Sequence, residues 1–443
     1  MPTVEHVKIT VIGCGYLGAT HAACMAALGF EVLGIEIDPT RRSALERGVL
    51  PFFEPGLPEL LVEQVESGRL RFSADIAEAA AFGDVHFVCV GTPQRADGHG
   101  ADLTYVEAAV TSLAAHLTGP ALVVGKSTVP VGTAERLQEI LQSQSPAGDQ
   151  VELAWNPEFL REGFAVKDTL EPDRLVFGVR SERAEATLRE VYSTAIDGGC
   201  PVVVTDFPTA ELVKVAANSF LATKISFINA MAELCDVTGA NVVTLADAIG
   251  YDERIGRKFL NAGLGFGGGC LPKDIRAFTA RAEELGVKDA LRFLHEIDRI
   301  NLRRRKRVIK IARKELGGRL PGKRIAILGA AFKPNSDDIR DSPALEVAHT
   351  LHELGVHVTV HDVEAIEPAR TKYPDLSYAD TIEEACAEAD LVMHLTEWLE
   401  YRAVDPAKLG EVVAGKRMID GRNCLDIDAY REAGWTIRSL GRP

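Results

Sequence analysis

Residues 263–274 read Gly-Leu-Gly-Phe-Gly-Gly-Gly-Cys-Leu-Pro-Lys-Asp. Five glycines in the seven places before Cys270 exclude a packed helix or strand and mean that backbone approaches something closely there. Pro272 fits the first turn of a helix continuing through Ile275, Phe278, Ala282 and Leu285. That sets Cys270 at the helix N-terminus with Lys273 nearby, and both features favour a thiolate, the form that attacks a carbonyl carbon. Asp274 falls in the same first turn, where it can act with Cys270 on one substrate atom or serve the helix dipole and a salt bridge.

Lys214 and Asn218 are four residues apart on an otherwise apolar helical run, so they share a face. An ammonium beside an amide suits an oxyanion or a phosphate oxygen, and equally a partly buried structural pair. Glu158 and Glu162 lie in Asn156-Pro157-Glu158-Phe159-Leu160-Arg161-Glu162-Gly163, just after a strand end at Trp155. Strand ends on that edge of a parallel sheet face a ligand crevice. Gly91-Thr92-Pro93 and Ser127-Thr128-Val129-Pro130 follow two further strands, which turns the Thr92 and Thr128 hydroxyls to the same edge; capping or turn roles account for hydroxyls there as well.

The elements that must position these groups begin with Val7 to Ile12, which leads into Gly13-Cys14-Gly15-Tyr16-Leu17-Gly18 and a small-residue helix. In a dinucleotide turn the first glycine allows the tight bend, the second lets backbone approach a pyrophosphate, and the third allows helix to pack on strand. Glu36 closes the second strand, placed to accept the adenosine ribose hydroxyls and to repel a 2'-phosphate, which favours NAD. Arg41 and Arg42 weaken that preference, since a guanidinium there can receive such a phosphate.

Strands Glu31 to Glu36, Val85 to Val90, Ala121 to Lys126, Val151 to Trp155, Arg174 to Val179 and Pro201 to Thr205 extend an α/β domain over residues 1–205. Residues 206–316 read as all-helical, with one long helix over 209–238. After the break at Gly317, Gly318, Pro321 and Gly322, a second strand and helix alternation fills 317–443, with strands Arg324 to Leu328, Val356 to His361, Leu391 to Leu395 and Arg417 to Asp420 and a helix starting at Ser342-Pro343. The expected fold is α/β, two Rossmann-like parallel-sheet domains joined by a long-helix middle domain, with a cleft between the sheets for ligands.

A chain of 443 residues is too long for one core, and 46% apolar with 26% charged residues is ordinary for a globular enzyme. A net charge of −15 speaks against wrapping a nucleic acid. The run Arg303-Arg304-Arg305-Lys306-Arg307 sits on a helix whose apolar positions face inward, so it reads as a solvated basic surface. No apolar run reaches membrane-spanning length, no signal peptide is evident, and eight cysteines lack disulfide or zinc spacing. The expectation is a cytoplasmic protein with reduced thiols, no bound metal and no membrane or nucleic-acid partner. Residues 209–238 make a helix of about 45 Å, too long for so small a middle domain to cover, which points to a homodimer or higher homo-oligomer.

With these segments together, the chain resembles the UDP-glucose/GDP-mannose dehydrogenase family nearly end to end. Seven ordered blocks carry the likeness: GCGYLG, FEPGL (53–57), VGTP, STVP, NPEFLREG, GFGGGCLPKD and FKPNSDDIRDSP (332–343). The segment Asp252-Glu253-Arg254-Ile255-Gly256 with Phe259-Leu260 is most like the UDP-glucose branch.

The resemblance implies an NAD-dependent, four-electron oxidation of a UDP-sugar through a cysteine-bound intermediate. Cys270 matches the nucleophile, Lys214 and Asn218 the oxyanion and substrate donors, and Asp274 the residue that orients or activates water. Thr128 and Glu158 match groups that assist water and proton transfer. Gly13, Gly15, Tyr16, Leu17 and Gly18, with Glu36, Arg41, Thr92, Thr128, Glu162, Lys273 and Arg340, match cofactor contacts. Glu158, Phe159, Leu160, Arg161 and Glu162, the loop Phe259, Leu260, Asn261, Ala262 and Gly263, and Gly267, Lys333 and Arg422 match sugar and UDP contacts. Arg254 matches an arginine that reaches the substrate from a second subunit. Asn261 departs from the lysine found in animal members. Dehydrogenases of GDP-mannose or UDP-N-acetylhexosamine, a two-electron hydroxyacid dehydrogenase and a non-catalytic nucleotide-sugar regulator are the alternatives; a hydroxyacid dehydrogenase leaves Cys270 without a task.

Overall fold

The structure is a computed structural model and describes residues 7–443; the stretch before Val7, part of the reading on a signal peptide, lies outside the described residues. Two compact units emerge. One runs through Ala217 and takes in Arg276–Leu285; the other comprises Asn218–Ile275 and Gly286–Pro443.

The first unit holds an eight-stranded sheet of β1 (Lys8–Ile12), β2 (Glu31–Ile35), β3 (Leu70–Ser73), β4 (Val85–Val88), β5 (Ala121–Gly125), β6 (Val151–Trp155), β7 (Leu175–Gly178) and β8 (Val202–Thr205), in the order 3-2-1-4-5-6-7-8. Every pairing is parallel except β6 with β7, which meet antiparallel through Trp155 and Gly178. Strands such as KITVI and ALVVG are almost continuously apolar because helices cover both faces; separate clusters around Phe87 and Phe177 on one side and Trp155 and Phe207 on the other fill the two layers. Helices α1 (Tyr16–Ala27), α2 (Thr133–Gln144) and α3 (Ala165–Leu170) each start just after a strand-end loop.

The long helix α4 spans Phe207–Thr238, two residues earlier than the expected start at 209, because Pro208 sits in the first turn where a missing N–H costs nothing. Helix α5 covers Leu271–Glu284 and α6 covers Arg292–Glu315, ending before the Gly317-Gly318 break. The second sheet comprises β9 (Arg324–Leu328), β10 (His357–His361), β11 (Ser377–Tyr378), β12 (Leu391–His394), β13 (Arg417–Asp420) and β14 (Thr436–Ser439), all parallel in the order 11-10-9-12-13-14. Helix α7 (Pro343–Glu353) follows β9, its N-cap Ser342 accepting the Leu345 N–H. The fold is therefore two α/β sheets with a helical middle region.

One expectation is overturned. The basic run on α6 is not a solvated face, since Arg304 and Arg305 are buried, at 0% and 2% exposure. Arg304 donates to the carbonyls of Gly263 (3.0 Å) and Asn229 (3.2 Å), and Arg305 pairs with Asp341 (2.9 Å) and Glu346. A guanidinium tolerates such a site because its planar fork finds carbonyl and carboxylate partners together. Arg303 and Arg307 stay nearer solvent and pair with Glu233 and Asp236 of α4.

Candidate active site

In the first unit, the turn between β1 and α1 assigns each glycine a different task. Gly13 sits at φ +89°, and a Cβ there would stand 2.7 Å from Val90 Cγ1. A Cβ on Gly18 would overlap the Gly13 carbonyl, so α1 leans on its own turn. Gly15, the N-cap, has no other part of the described chain within 4 Å of where its Cβ would be. The free N–H groups of Tyr16 and Leu17 in the first turn behind it make an anion-binding end.

Glu36 is buried and accepts from Asp38 N–H at 2.9 Å and from Arg41 Nη1 at 3.2 Å. Arg42 donates to the Glu36 carbonyl at 3.1 Å. Both guanidiniums are thus drawn onto Glu36, and a 2'-phosphate would have to displace Arg41 from its carboxylate. The open Gly15 and the buried Glu36 fit NAD.

The neighbouring strand-end loops are tied to one another. Thr92 Oγ1 donates to the Thr128 carbonyl at 2.8 Å, and Ser127 Oγ to Val90 at 2.7 Å. Lys126 is buried, with its Nζ 2.9 Å from Asn156 Oδ1 and 3.1 Å from the Tyr192 hydroxyl; burial pulls its pKa down to about 8. Asn156 also donates to the Val176 carbonyl, fixing the start of the 156–163 loop. On that loop Glu158 accepts the Leu160 N–H at 2.7 Å and pairs with Lys214 of α4 at 2.9 Å, both groups being largely buried. The Lys214 ammonium lies 5.7 Å from the centre of the Phe159 ring, whose other cation neighbour is Arg174 at 3.8 Å. Arg161 is bidentate to Asp168, and that pairing raises its pKa. Glu162 completes the loop beside Tyr16, where its charge helps push the phenol upward, behind burial and the bond to Glu54.

In the second unit, Cys270 is exposed and its carbonyl accepts the Asp274 N–H at 2.9 Å, the first turn of α5. Asp274 is 2% exposed. One of its oxygens accepts from Asn218 Nδ2 at 2.7 Å and the other faces Lys273 Nζ at 2.8 Å. Cys270, Lys273, Asp274 and Asn218 are thus brought together, as Glu158, Phe159 and Lys214 are in the first unit.

The glycines before Cys270 are filled by the chain's own 332–343 segment. A Cβ on Gly267 would overlap the Asp341 carbonyl, and one on Gly269 the Arg340 guanidinium. Gly268, at φ +84°, would meet the Phe332 ring at 2.8 Å, and its N–H donates to the Arg340 carbonyl. Asn301 of α6 clamps Phe266 through both its N–H (2.8 Å) and its carbonyl (3.0 Å). Arg422 spends its guanidinium on the carbonyls of Leu395 (2.6 Å), Gly265 (3.0 Å) and Phe332 (3.3 Å). Arg340 is bidentate to Asp338, and Lys333 Nζ lies 5.2 Å from the Phe332 ring centre.

The remaining candidates stand on the 251–263 turn. Arg254 is folded back on Asp252 in a bidentate pair, with its side chain 89% exposed. Phe259 holds a positive φ of 66°, and Asn261 accepts from Arg257 at 2.8 Å. Leu260 and Ala262 turn their side chains into a core with Ile228 and Val242, leaving only backbone for a ligand. Gly263 N–H donates to Asn229 Oδ1 at 2.8 Å. Asn229, Asn301, Lys126 and Glu54 escaped the sequence reading; only Glu54 carried a signal, as part of the FEPGL block. Among the described residues, one His, Asp and Cys group could hold a metal: His394, Asp420 and Cys424. Asp420 is already engaged by the N–H groups of Arg422 and Leu425 and by His394, and so builds the turn that carries Arg422. No helix among the described residues is long and apolar enough to cross a membrane.

Comparison with known proteins agrees along the whole chain. Domain models of the UDP-glucose/GDP-mannose dehydrogenase family match residues 7–196 (NAD binding domain), 208–303 (central domain) and 326–427 (UDP binding domain). A UDP-glucose 6-dehydrogenase of Rhizobium meliloti is 44% identical over 440 residues, covering 99% of this chain and 100% of its own. The solved UDP-glucose dehydrogenase of Pyrobaculum islandicum superposes with a TM-score of 0.90 at 37% identity, covering 98% of this chain and 99% of its own. A UDP-D-ManNAc dehydrogenase of Pyrococcus horikoshii follows at 0.85 and 26%, with the same coverage. Taken with the NAD-fitting turn and the cysteine at the head of α5, these matches establish that the chain is an NAD-dependent oxidoreductase belonging to the UDP-glucose/GDP-mannose dehydrogenase family.

Proposed function

We propose that the protein oxidises the primary alcohol of UDP-glucose to the carboxylate of UDP-glucuronate, a four-electron reaction that passes through a thioester on Cys270. The observation that carries this reading is the exposed cysteine at the first turn of α5, with Asp274 buried in the same turn and held there by Asn218 of α4. Bound NAD supplies the hydride acceptor for each of the two oxidations, and Gly15, the first turn of α1 and Glu36 would hold it.

Carrying an aldehyde on to an acid requires a tetrahedral carbon that still bears a hydrogen. The Cys270 thiolate provides one by adding to the aldehyde carbon, forming a C–S bond and an oxyanion that becomes a thiohemiacetal. Oxidation of that carbon leaves a thioester; water adds, the C–S bond breaks, and the thiolate returns. Lys214 and Asn218 serve as donors to the oxyanions, while Asp274, Glu158 and Thr128 orient water and take its proton. The Glu158–Lys214 pair suits this work, because a carboxylate and an ammonium held 2.9 Å apart can pass a proton without either becoming an isolated buried charge.

UDP-glucose is favoured over other nucleotide sugars by the 251–274 segment and by the high identity to relatives of that name. Assays of NADH production with UDP-glucose, GDP-mannose and UDP-N-acetylmannosamine should show UDP-glucose preferred by about tenfold or more in kcat/KM. A reversed order would overturn the substrate assignment.

The working form is a homodimer or larger, through α4. Phe220, Phe227 and Leu234 recur every seven residues and are exposed, with Val237 beside them. An apolar stripe along a helix about 48 Å long is a surface that a second copy can cover. An active monomer in sedimentation at assay concentration would contradict this. The free thiols and the NAD requirement suit the cytoplasm.

A further inference from the structure

The FEPGL block has no task in the chemistry above, yet it holds one of the best-satisfied buried carboxylates in the first unit. Glu54 is 1% exposed. Its Oε2 accepts the hydroxyl of Tyr16 and the N–H of Gly163 (2.6 Å), and its Oε1 accepts the N–H of Ala165 (2.7 Å). These donors lie 38, 109 and 111 residues from it in sequence. Phe52 of the same segment packs on the Tyr16 ring at 5.0 Å between centres.

The two sides of this junction are the two ligand-facing parts of the unit. Tyr16 is the first residue of α1, directly behind the open Gly15. Gly163 ends the 156–163 loop, whose other end is held by the buried Lys126 through Asn156. A buried carboxylate can keep its charge only while its donors stay in place, so movement of Tyr16 away from Glu54 leaves the loop's anchor under-satisfied.

We propose that Glu54 is a positioning residue that ties the 156–163 loop to the dinucleotide turn through Tyr16, so that ordering α1 around a pyrophosphate also orders the loop that carries Glu158 and Glu162. This rests on the functional reading in which the turn takes NAD and the loop faces the sugar. A carboxylate that merely caps the short helix α3 needs only Gly163 and Ala165 and takes no account of Tyr16.

The test uses the full-length protein with Tyr16→Phe, Glu54→Gln and the double variant. NADH should slow amide hydrogen exchange over residues 159–165 about fivefold or more in the wild type, a coupling of ordinary size between two sites. Tyr16→Phe leaves both backbone bonds to Glu54 intact yet should abolish most of that slowing. Glu54→Gln cannot accept both N–H groups and should lower kcat/KM for UDP-glucose about tenfold or more, with the double variant no worse than Glu54→Gln alone. Persistence of the slowing in Tyr16→Phe, its absence in the wild type, or additive losses in the double variant would overturn the proposal. The exchange measurement needs no turnover, so it decides the link even if UDP-glucose proves to be the wrong substrate; should Glu54→Gln fail to fold, Tyr16→Phe alone decides it.

Discussion

Two glycine-rich turns, one before α1 and one before α5, are built from the same residue for opposite ends. In the first, the middle glycine is left bare: among the described residues, no other part of the chain comes within 4 Å of the missing Cβ of Gly15. In the second, Gly265, Gly267, Gly268 and Gly269 are each pressed by another part of the chain, namely Asn301, Asp341, Phe332 and Arg340. A bare glycine at a helix N-terminus is room for a ligand; a crowded one is room for the protein itself. The cysteine loop therefore gets its shape from the 332–343 segment and from Arg305, Asn301 and Arg422, and presents Cys270 on a scaffold fixed in advance.

Alanine substitutions should separate the two cases. The largest effect is expected at Gly267, where a Cβ would overlap the Asp341 carbonyl and stand 2.7 Å from Pro343 Cδ. Gly267→Ala should cost about 3 kcal/mol of stability and most of the activity, as overpacking against backbone does. Urea melts and NADH production would read both. Gly15→Ala should behave differently. Gly15 has φ −72° and ψ −162°, which any residue adopts, so stability should stay within about 0.5 kcal/mol of wild type. Affinity for NADH should nevertheless fall about tenfold or more, measured by nicotinamide fluorescence, because the methyl group occupies the phosphate's approach. Equal stability losses at the two positions, or unchanged NADH binding in Gly15→Ala, would erase the distinction.

A smaller effect concerns buried cations, which the two regions also handle differently. Arg304 and Arg305 have carboxylate partners in Glu233 and Asp341, and burial lowers Arg304 only to about 10, whereas Lys126 bonds to the neutral Asn156 and Tyr192 and is drawn down to about 8 by burial. The folded chain releases the Lys126 proton near pH 8, the unfolded chain near 10.5, so the unfolded state holds the extra proton between those values. Folding is accordingly favoured as pH rises through that window, and wild type should gain stability relative to Lys126→Met between pH 8 and 10 in paired urea melts. A flat difference would mean that Lys126 is not the group responsible.

The sequence made the first turn readable because each glycine in GCGYLG answers to a local demand, and Glu36 follows at the end of the very next strand. Long apolar strands such as β1, β5 and β9 were equally plain. The short β3, β11 and β14 were not, since edge strands of two to four residues with alternating exposure lack the apolar run that marks a buried strand. The cysteine loop announced that something must come close, but not what, because its neighbours lie up to 157 residues away in the chain. Arg304 and Arg305 misled for a related reason. A basic run is ordinarily solvated, and only the folded chain brings Glu346, Asp341 and the Gly263 carbonyl to them.

The central claim is that Cys270 forms a covalent bond with the substrate carbon, and stoichiometry tests it most directly. Wild-type protein given limiting UDP-glucose and excess NAD should release two NADH per sugar, counted at 340 nm, as a four-electron oxidation requires. Cys270→Ala should abolish acid formation while retaining NADH and UDP-sugar binding, since the thiol makes the bond and holds neither nucleotide. Release of two NADH per sugar by Cys270→Ala at a near wild-type rate would contradict the account.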